Sequence, residues 1–139
     1  MAPVVLVVEE QAALREAYTR ALQGAGYRVV ATRPVAEARR VVRDARPDLI
    51  LLDPDSGGGE GKAIAQAALS ADPRVAVIYN TSRPSRLETD FSSWVADAYT
   101  VRSIGAGELG QVVAQVLRDR RARGGLAAGP IRRRAPARV

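Results

Sequence analysis

Val4 to Val8 is an unbroken apolar run, β-branched at four of its five positions, that stops abruptly at Glu9 and Glu10. A strand buried on both faces has this pattern. Beyond it, Leu14, Ala17, Tyr18, Ala21, Leu22 and Ala25 recur at helical spacing, with Gly24 and Gly26 as the stop. Tyr27 to Ala31 predicts a second strand, and Val35, Ala38, Val41, Val42 and Ala45 predict a second helix ended by Pro47. The apolar run Leu49 to Leu52 meets Asp53, after which a glycine-rich turn, PDSGGGEGK, leads into a third helix over roughly Glu60 to Ser70. Val75 to Tyr79 predicts a fourth strand, followed by the polar stretch Asn80, Thr81 and Ser82. Leu87, Phe91 and Trp94 fit a helical stripe between Pro84 and Trp94, which Thr89, Ser92 and Ser93 weaken. Ala98 to Val101 predicts the fifth strand, followed by Arg102, and Leu109, Val112, Val113, Val116 and Leu117 draw an apolar face along the last helix.

Strict alternation of strand and helix predicts an α/β domain, a parallel sheet covered on both faces and joined by right-handed crossovers. The functional crevice of such a sheet opens at the carboxyl ends of its strands. The residues just past the strands are Glu9 and Glu10, Asp53, Thr81 and Ser82, and Arg102. Acids, hydroxyls and one cation therefore converge at one edge.

Composition narrows the chemistry available there. A chain of 139 residues suits one domain, and no apolar run approaches the roughly 20 residues that span a bilayer. With neither cysteine nor histidine, disulfides, thiolate or imidazole metal sites, and triads built on histidine are excluded. The apolar start of the chain lacks a basic flank and meets two glutamates too early for a signal peptide, so a cytoplasmic protein is expected. The net charge of +6 is unevenly placed: residues 1–117 hold 13 basic and 14 acidic residues, whereas residues 118–139 hold eight arginines and Asp119. The segment RDRRARGGLAAGPIRRRAPARV mixes arginine clusters with Gly, Ala and Pro and has no aromatic residue, which predicts a solvated tail. The expected division is a domain over 1–121 and a basic tail over 122–139.

The segments VVLVVEEQAALREAYTRALQGAGYRVV, ARPDLILLDPDSGGGEG, ADPRVAVIYNTS and ADAYTVRS carry a resemblance. Over about residues 4–120 the chain resembles the receiver domain of bacterial two-component response regulators. The resemblance implies a flavodoxin-like, doubly wound sheet of strand order 2-1-3-4-5 with five helices. It implies that Asp53 accepts a phosphoryl group from a histidine kinase or phosphotransfer protein. Glu9, Glu10, Asp53 and the backbone carbonyl of Asp55 would hold magnesium, which prefers oxygen ligands. By the same resemblance Thr81 is the hydroxyl that moves onto the phosphoryl oxygen, Ser82 the small neighbour that leaves room, Arg102 the cation and Tyr99 the aromatic switch position. Signals would then pass by protein contact or homodimerisation through the surface formed by the fourth helical stripe, the fifth strand and the last helix, so the domain is a phosphoacceptor and not an enzyme. Against the family pattern, Glu10 stands where aspartate is usual, Arg102 where lysine is near-invariant and Ser103 where proline follows it. Pro54 and Asp55 replace apolar residues, and Gly57 replaces a proline.

Blander and rival readings use the same residues. Glu9 and Glu10 could be a charged strand end that resists aggregation, Asp53 a helix cap, and Arg102 a structural partner for the acids. A phosphorylation-independent pseudo-receiver acting as an interaction module would need none of the chemistry. The loop SGGGEGKA fails as a P-loop, because Ser56 occupies the first required glycine and Ala63 the magnesium-binding hydroxyl position. The arginine-rich tail suggests a third possibility, a protein associated with nucleic acid or anionic lipid through counterion release, although no motif for reading base sequence accompanies it.

Overall fold

The computed structural model describes residues 2–82, 96–101 and 104–122. The helix expected between Pro84 and Trp94, Arg102, Ser103 and residues 123–139 lie outside the described residues. Five strands, β1 (Val4–Val8), β2 (Arg28–Thr32), β3 (Leu49–Leu52), β4 (Ala76–Thr81) and β5 (Ala98–Val101), alternate with helices. These are α1 (Ala12–Gly24), α2 (Ala38–Ala45), α3 (Glu60–Ala71) and α4 (Ala106–Ala122), with a short 3₁₀ turn at Ser56–Gly59. All pairings are parallel, and the order is β2-β1-β3-β4-β5, the flavodoxin-like order expected. Four α-helices are present among the described residues where five were expected.

The apolar runs form strands because both faces of the sheet are covered. Every residue of β3 is buried. Leu6, Ile50, Leu52 and Val77 pack with Val42 of α2 and Ile64 of α3, whereas Val5, Leu49, Leu51 and Ile78 pack with Leu22 of α1 and Leu109 and Val113 of α4. Each such side chain contributes about 1.5–3 kcal/mol of burial. Helix ends follow local chemistry: α1 runs out at Gly26, whose φ of +100° suits glycine, and α2 ends at Arg46 before Pro47.

The sequence boundaries need three corrections. First, α2 starts at Ala38, although its apolar pattern begins at Val35. After Pro34 the chain tightens into i→i−3 bonds, Ala38 to Val35, Arg39 to Ala36 and Arg40 to Glu37, at 2.9–3.1 Å, before α-geometry takes over. Second, β4 does not stop at Tyr79 but continues through Asn80 and Thr81, which pair in register with Thr100 and Val101. The polarity of Asn80 does not end the strand, because buried partners on α1 and β5 satisfy it.

Third, Arg118 to Arg121, grouped by charge with the basic tail, lie in α4. Arg120 is part of the fold. Its Nη2 donates to the Val75 carbonyl and to Asp97 Oδ2, both at 3.0 Å. The Asp97 side chain is fully buried and that of Arg120 is 12% exposed. Asp97 Oδ2 also accepts the Val77 N–H at 2.8 Å, and the Asp97 N–H donates to the Val77 carbonyl at 2.7 Å. One carboxylate thus ties the entry of β5 to β4 and to the end of α4.

Removing Arg120 would leave Asp97 buried without this guanidinium. Arg120→Ala is expected to cost about 3–5 kcal/mol in urea unfolding, whereas Arg118→Ala, at an exposed position on the same helix, should cost no more than about 0.5 kcal/mol. Equal effects would contradict the anchoring role of Arg120.

Candidate functional site

Strand register builds the site. Val8 pairs with Leu52, Leu52 with Tyr79, and Asn80 with Thr100. One residue further along β1 and β3, Glu9 comes beside Asp53 and Asp53 beside Asn80. The two-residue alternation of side chains carries Val7 to Glu9, Leu51 to Asp53, Ile78 to Asn80 and Ala98 to Thr100, so this polar row lies on the face that packs against α1 and α4. Glu9, Asp53, Asn80 and Tyr18 line one small void with Val7, Val8, Leu51 and Leu52.

Both acids are buried, Glu9 at 4% and Asp53 at 7% exposed, so their environment must supply hydrogen bonds. Glu9 Oε2 accepts the Gln11 N–H at 2.8 Å, and its backbone carbonyl accepts Arg15 Nη1 at 2.9 Å. Asp53 Oδ1 accepts the Asp55 N–H at 2.9 Å, a turn that fixes the carboxylate plane. The Asp53 carbonyl accepts the Ser56 N–H at 3.1 Å and the Ser56 hydroxyl at 2.7 Å, which locks the loop after β3.

The glycine-rich stretch lets that loop close. Gly57 sits at φ +62°, and a Cβ there would lie 2.3 Å from the Pro34 carbonyl oxygen. Gly61, in the first turn of α3, lies so near β3 that a Cβ would stand 2.1 Å from the Asp53 carbonyl oxygen. Across the loop, Glu10 Oε1 accepts the Gly57 N–H at 3.3 Å. The second acid is thereby drawn onto the turn, and among the described residues no three His, Cys, Asp or Glu side chains are grouped to hold a metal.

The remaining expected residues occupy the same edge. Asp55 is exposed on the loop; Thr81 closes β4 and is buried, and Ser82 follows it, exposed. Tyr99 of β5 is half-buried against Tyr79, with ring centroids 6.4 Å apart. Arg102 lies outside the described residues. Two residues that matter here were not singled out from the sequence. Asn80 donates from Nδ2 to the Tyr18 hydroxyl at 3.1 Å and accepts from the Thr100 hydroxyl at 2.7 Å, joining α1, β4 and β5 beside Asp53. Their signal was the polar residue two positions beyond a buried apolar one in each strand.

Because Gly61 has no room for a side chain, Gly61→Ala must push α3 away from the Asp53 carbonyl. The expected loss is about 1–3 kcal/mol in chemical denaturation. Gly110→Ala, where no atom lies within 4 Å of the added Cβ, should not lower stability. A neutral Gly61→Ala would mean that the loop does not depend on this close approach.

Known proteins can be set beside this geometry. The family model for the response regulator receiver domain matches residues 5–109. No curated protein sequence matches the chain. A response regulator receiver protein from Sinorhizobium medicae has a similar fold, with a TM-score of 0.74 at 22% identity over 86% of this chain and 97% of that one. A chemotaxis response regulator of Vibrio cholerae gives 0.72 at 21% identity over 84% and 99%. A chain of the complex between the histidine kinase ThkA and the response regulator protein TrrA gives 0.69 at 29% identity over 84% and 99%. With a family match across most of the chain and the family's sheet order, this chain belongs to the response regulator receiver domains of two-component signalling.

Proposed function

We propose that Asp53 accepts a phosphoryl group from a histidine kinase or phosphotransfer protein, and that the domain passes the signal on by protein contact. The observation that carries this reading is the placement of Asp53: a carboxylate at the carboxyl end of the central strand, beside a second buried acid and oriented by the Asp55 N–H. In the transfer, an Asp53 carboxylate oxygen bonds to phosphorus as the bond from phosphorus to the donor histidine nitrogen breaks, and the electron pair leaves with that nitrogen. Thr81 and Ser82 lie at the edge where the phosphoryl oxygens would arrive, and Arg102 follows β5 with a fixed positive charge to set against them. A receiver recorded in complex with a histidine kinase, at 29% identity to this chain, supports that class of donor.

Oxygen donors suit magnesium. Glu9, Glu10 and Asp53 are not gathered into a metal-holding group in this structure, and with the Asp55 carbonyl they would hold the ion once their side chains turn toward it. When bound, the ion offsets repulsion between the carboxylate and the incoming phosphoryl group. Glu10 already holds the Gly57 N–H through Oε1, so it would join through its other oxygen or by releasing the loop.

In this reading residues 1–121 act as the receiver and 122–139 as a basic extension, and the domain works in the cytoplasm without an enzymatic activity of its own. Among the described residues no helix is long and apolar enough to cross a membrane. The Glu10–Gly57 bond, together with Arg102 and Ser103 in place of the usual lysine and proline, favours a second reading, a pseudo-receiver that binds partners without phosphorylation.

The two readings separate in one experiment. Incubated with acetyl phosphate and magnesium, the protein should gain the mass of one phosphoryl group, and Asp53→Asn should abolish the gain. A gain that survives in Asp53→Asn would remove Asp53 from the role; no gain in either form would leave the pseudo-receiver. A second measurement addresses the metal. Glu10→Asp shortens the acid and weakens its hold on Gly57, so magnesium affinity by titration calorimetry should rise several-fold, on the order of 1 kcal/mol. Weaker binding would mean that the longer Glu10 side chain is itself the ligand the site requires.

A further inference from the structure

A cleft of about 800 Å³ opens at the edge of the sheet opposite Asp53, where Val4, Asp48 and Val75 stand at or just before the starts of β1, β3 and β4. Arg28, Arg46, Arg74, Arg120 and Arg121 line it, against only Asp48 and Asp72. A groove of about 640 Å³ adjoins it, sharing Arg46 and Arg74 and adding Arg43. The two acids are already committed. Asp48 Oδ2 accepts the Val4 N–H at 2.7 Å, and Asp72 Oδ1 accepts both the N–H and the Nε of Arg74 at 3.0 and 3.3 Å. Arg120 is turned inward to Asp97. Arg28, Arg46 and Arg121 are exposed, and among the described residues their side chains make no hydrogen bond or ion pair. Three guanidinium groups from β2, the end of α2 and the last turn of α4 thus share one concave surface without an ion-pair partner, and the five arginines outnumber the two acids of the lining.

The backbone at Arg46 adds an independent observation. Arg46 is the only non-glycine residue with positive φ among the described residues, at +47°, in a C-terminal position that helices usually give to glycine. Such a conformation is unfavourable for an L-residue. The helix dipole does not require it, since Arg43 already stands in the last turn of α2. What the position secures is a guanidinium between the cleft and its adjoining groove.

We propose that this edge is a docking site for the phosphodiester backbone of a nucleic-acid duplex. Neither lining contains an aromatic side chain, so bases have nothing to stack on, which disfavours a single strand. The surface is concave, which suits a ridge of phosphates better than the plane of a lipid bilayer. Continuity supports the same occupant: α4 ends at Ala122 beside the cleft, and Arg123, Arg132, Arg133, Arg134 and Arg138 follow in the sequence. An extended polyanion can follow both. The contact is made to phosphates and carries no base specificity.

The test is an anisotropy titration of a labelled mixed-sequence DNA duplex with the full chain across a salt series. Arg28→Gln, Arg46→Gln and Arg121→Gln combined should lower the slope of log affinity against log salt by about 2.7, and weaken binding about 10-fold or more at low salt. A variant of equal net charge, with Arg20, Arg33 and Arg40 changed to Gln away from the cleft, should retain most of both. Circular dichroism of each variant confirms that folding is intact. If the two triple variants behave alike, or if the wild type does not bind the duplex, the proposal is wrong. Binding to phosphatidylglycerol vesicles that depends on the three cleft arginines, without duplex binding, would assign the edge to a membrane surface and equally overturn it.

Discussion

Parallel pairing of β1, β3 and β4 is the constraint on which the other features depend. All three strands are buried on both sides, so helices must cover both faces, and parallel direction brings all their carboxyl ends to one edge. Register then decides which polar residues meet. With Val8 opposite Leu52 and Leu52 opposite Tyr79, the first polar residues past β1 and β3 fall level with Asn80. A slip of one residue would move the row to the other face of the sheet, against α2 and α3, and bury Leu49 and Leu51 in the wrong layer. The burial that stabilises the sheet is therefore also what positions Asp53.

The alternation of apolar runs and helical stripes is legible because β1 and β3 are short, pure in Val, Leu and Ile, and each ended by an acid. Asp53 and Glu9 could be read for the same reason, since both terminate an apolar run. Asn80 is harder to read, because its polarity suggests that β4 stops at Tyr79. A buried amide between a tyrosine and a threonine hydroxyl does not interrupt a strand, because its hydrogen-bonding needs are met across the sheet and not by water. Arg120 was obscured in a different way: its charge grouped it with the arginines that follow. Spacing pointed elsewhere, since Arg120 stands four residues after Val116 and seven after Val113, on the buried stripe of α4. A charged residue on an apolar stripe predicts a buried counter-charge, which is Asp97.

The glycines after Asp53 show how far the loop departs from an ordinary strand-to-helix connection. Gly57, Gly58 and Gly59 all have positive φ, and the loop they form approaches Pro34 of the β2–α2 connection. That path leaves the Gly57 N–H facing Glu10, so the longer acid closes over the turn. Glu9, buried and held by the Gln11 N–H, stays with Asp53. The two glutamates, adjacent in sequence and superficially equivalent, thus have different roles: one is part of the buried row, and the other is a strap across the loop.

Charge is segregated along the strand axis. Glu9, Glu10, Asp53 and Asp55 gather at the carboxyl edge, and Arg28, Arg46 and Arg121 at the amino edge. A five-residue strand spans about 17 Å. Through solvent this exceeds the Debye length of about 8–10 Å near physiological salt, so a charge added at Asp53 is largely screened from the arginine cleft. Any stronger coupling between the two edges must pass through the structure. The continuous route on the α1 and α4 side runs from the Asp53 row through Asn80 and Thr100 into β5, and from Asp97 at the start of β5 to Arg120, which lines the cleft. Movement of β5 and the end of α4 is the structural route by which one edge would reach the other.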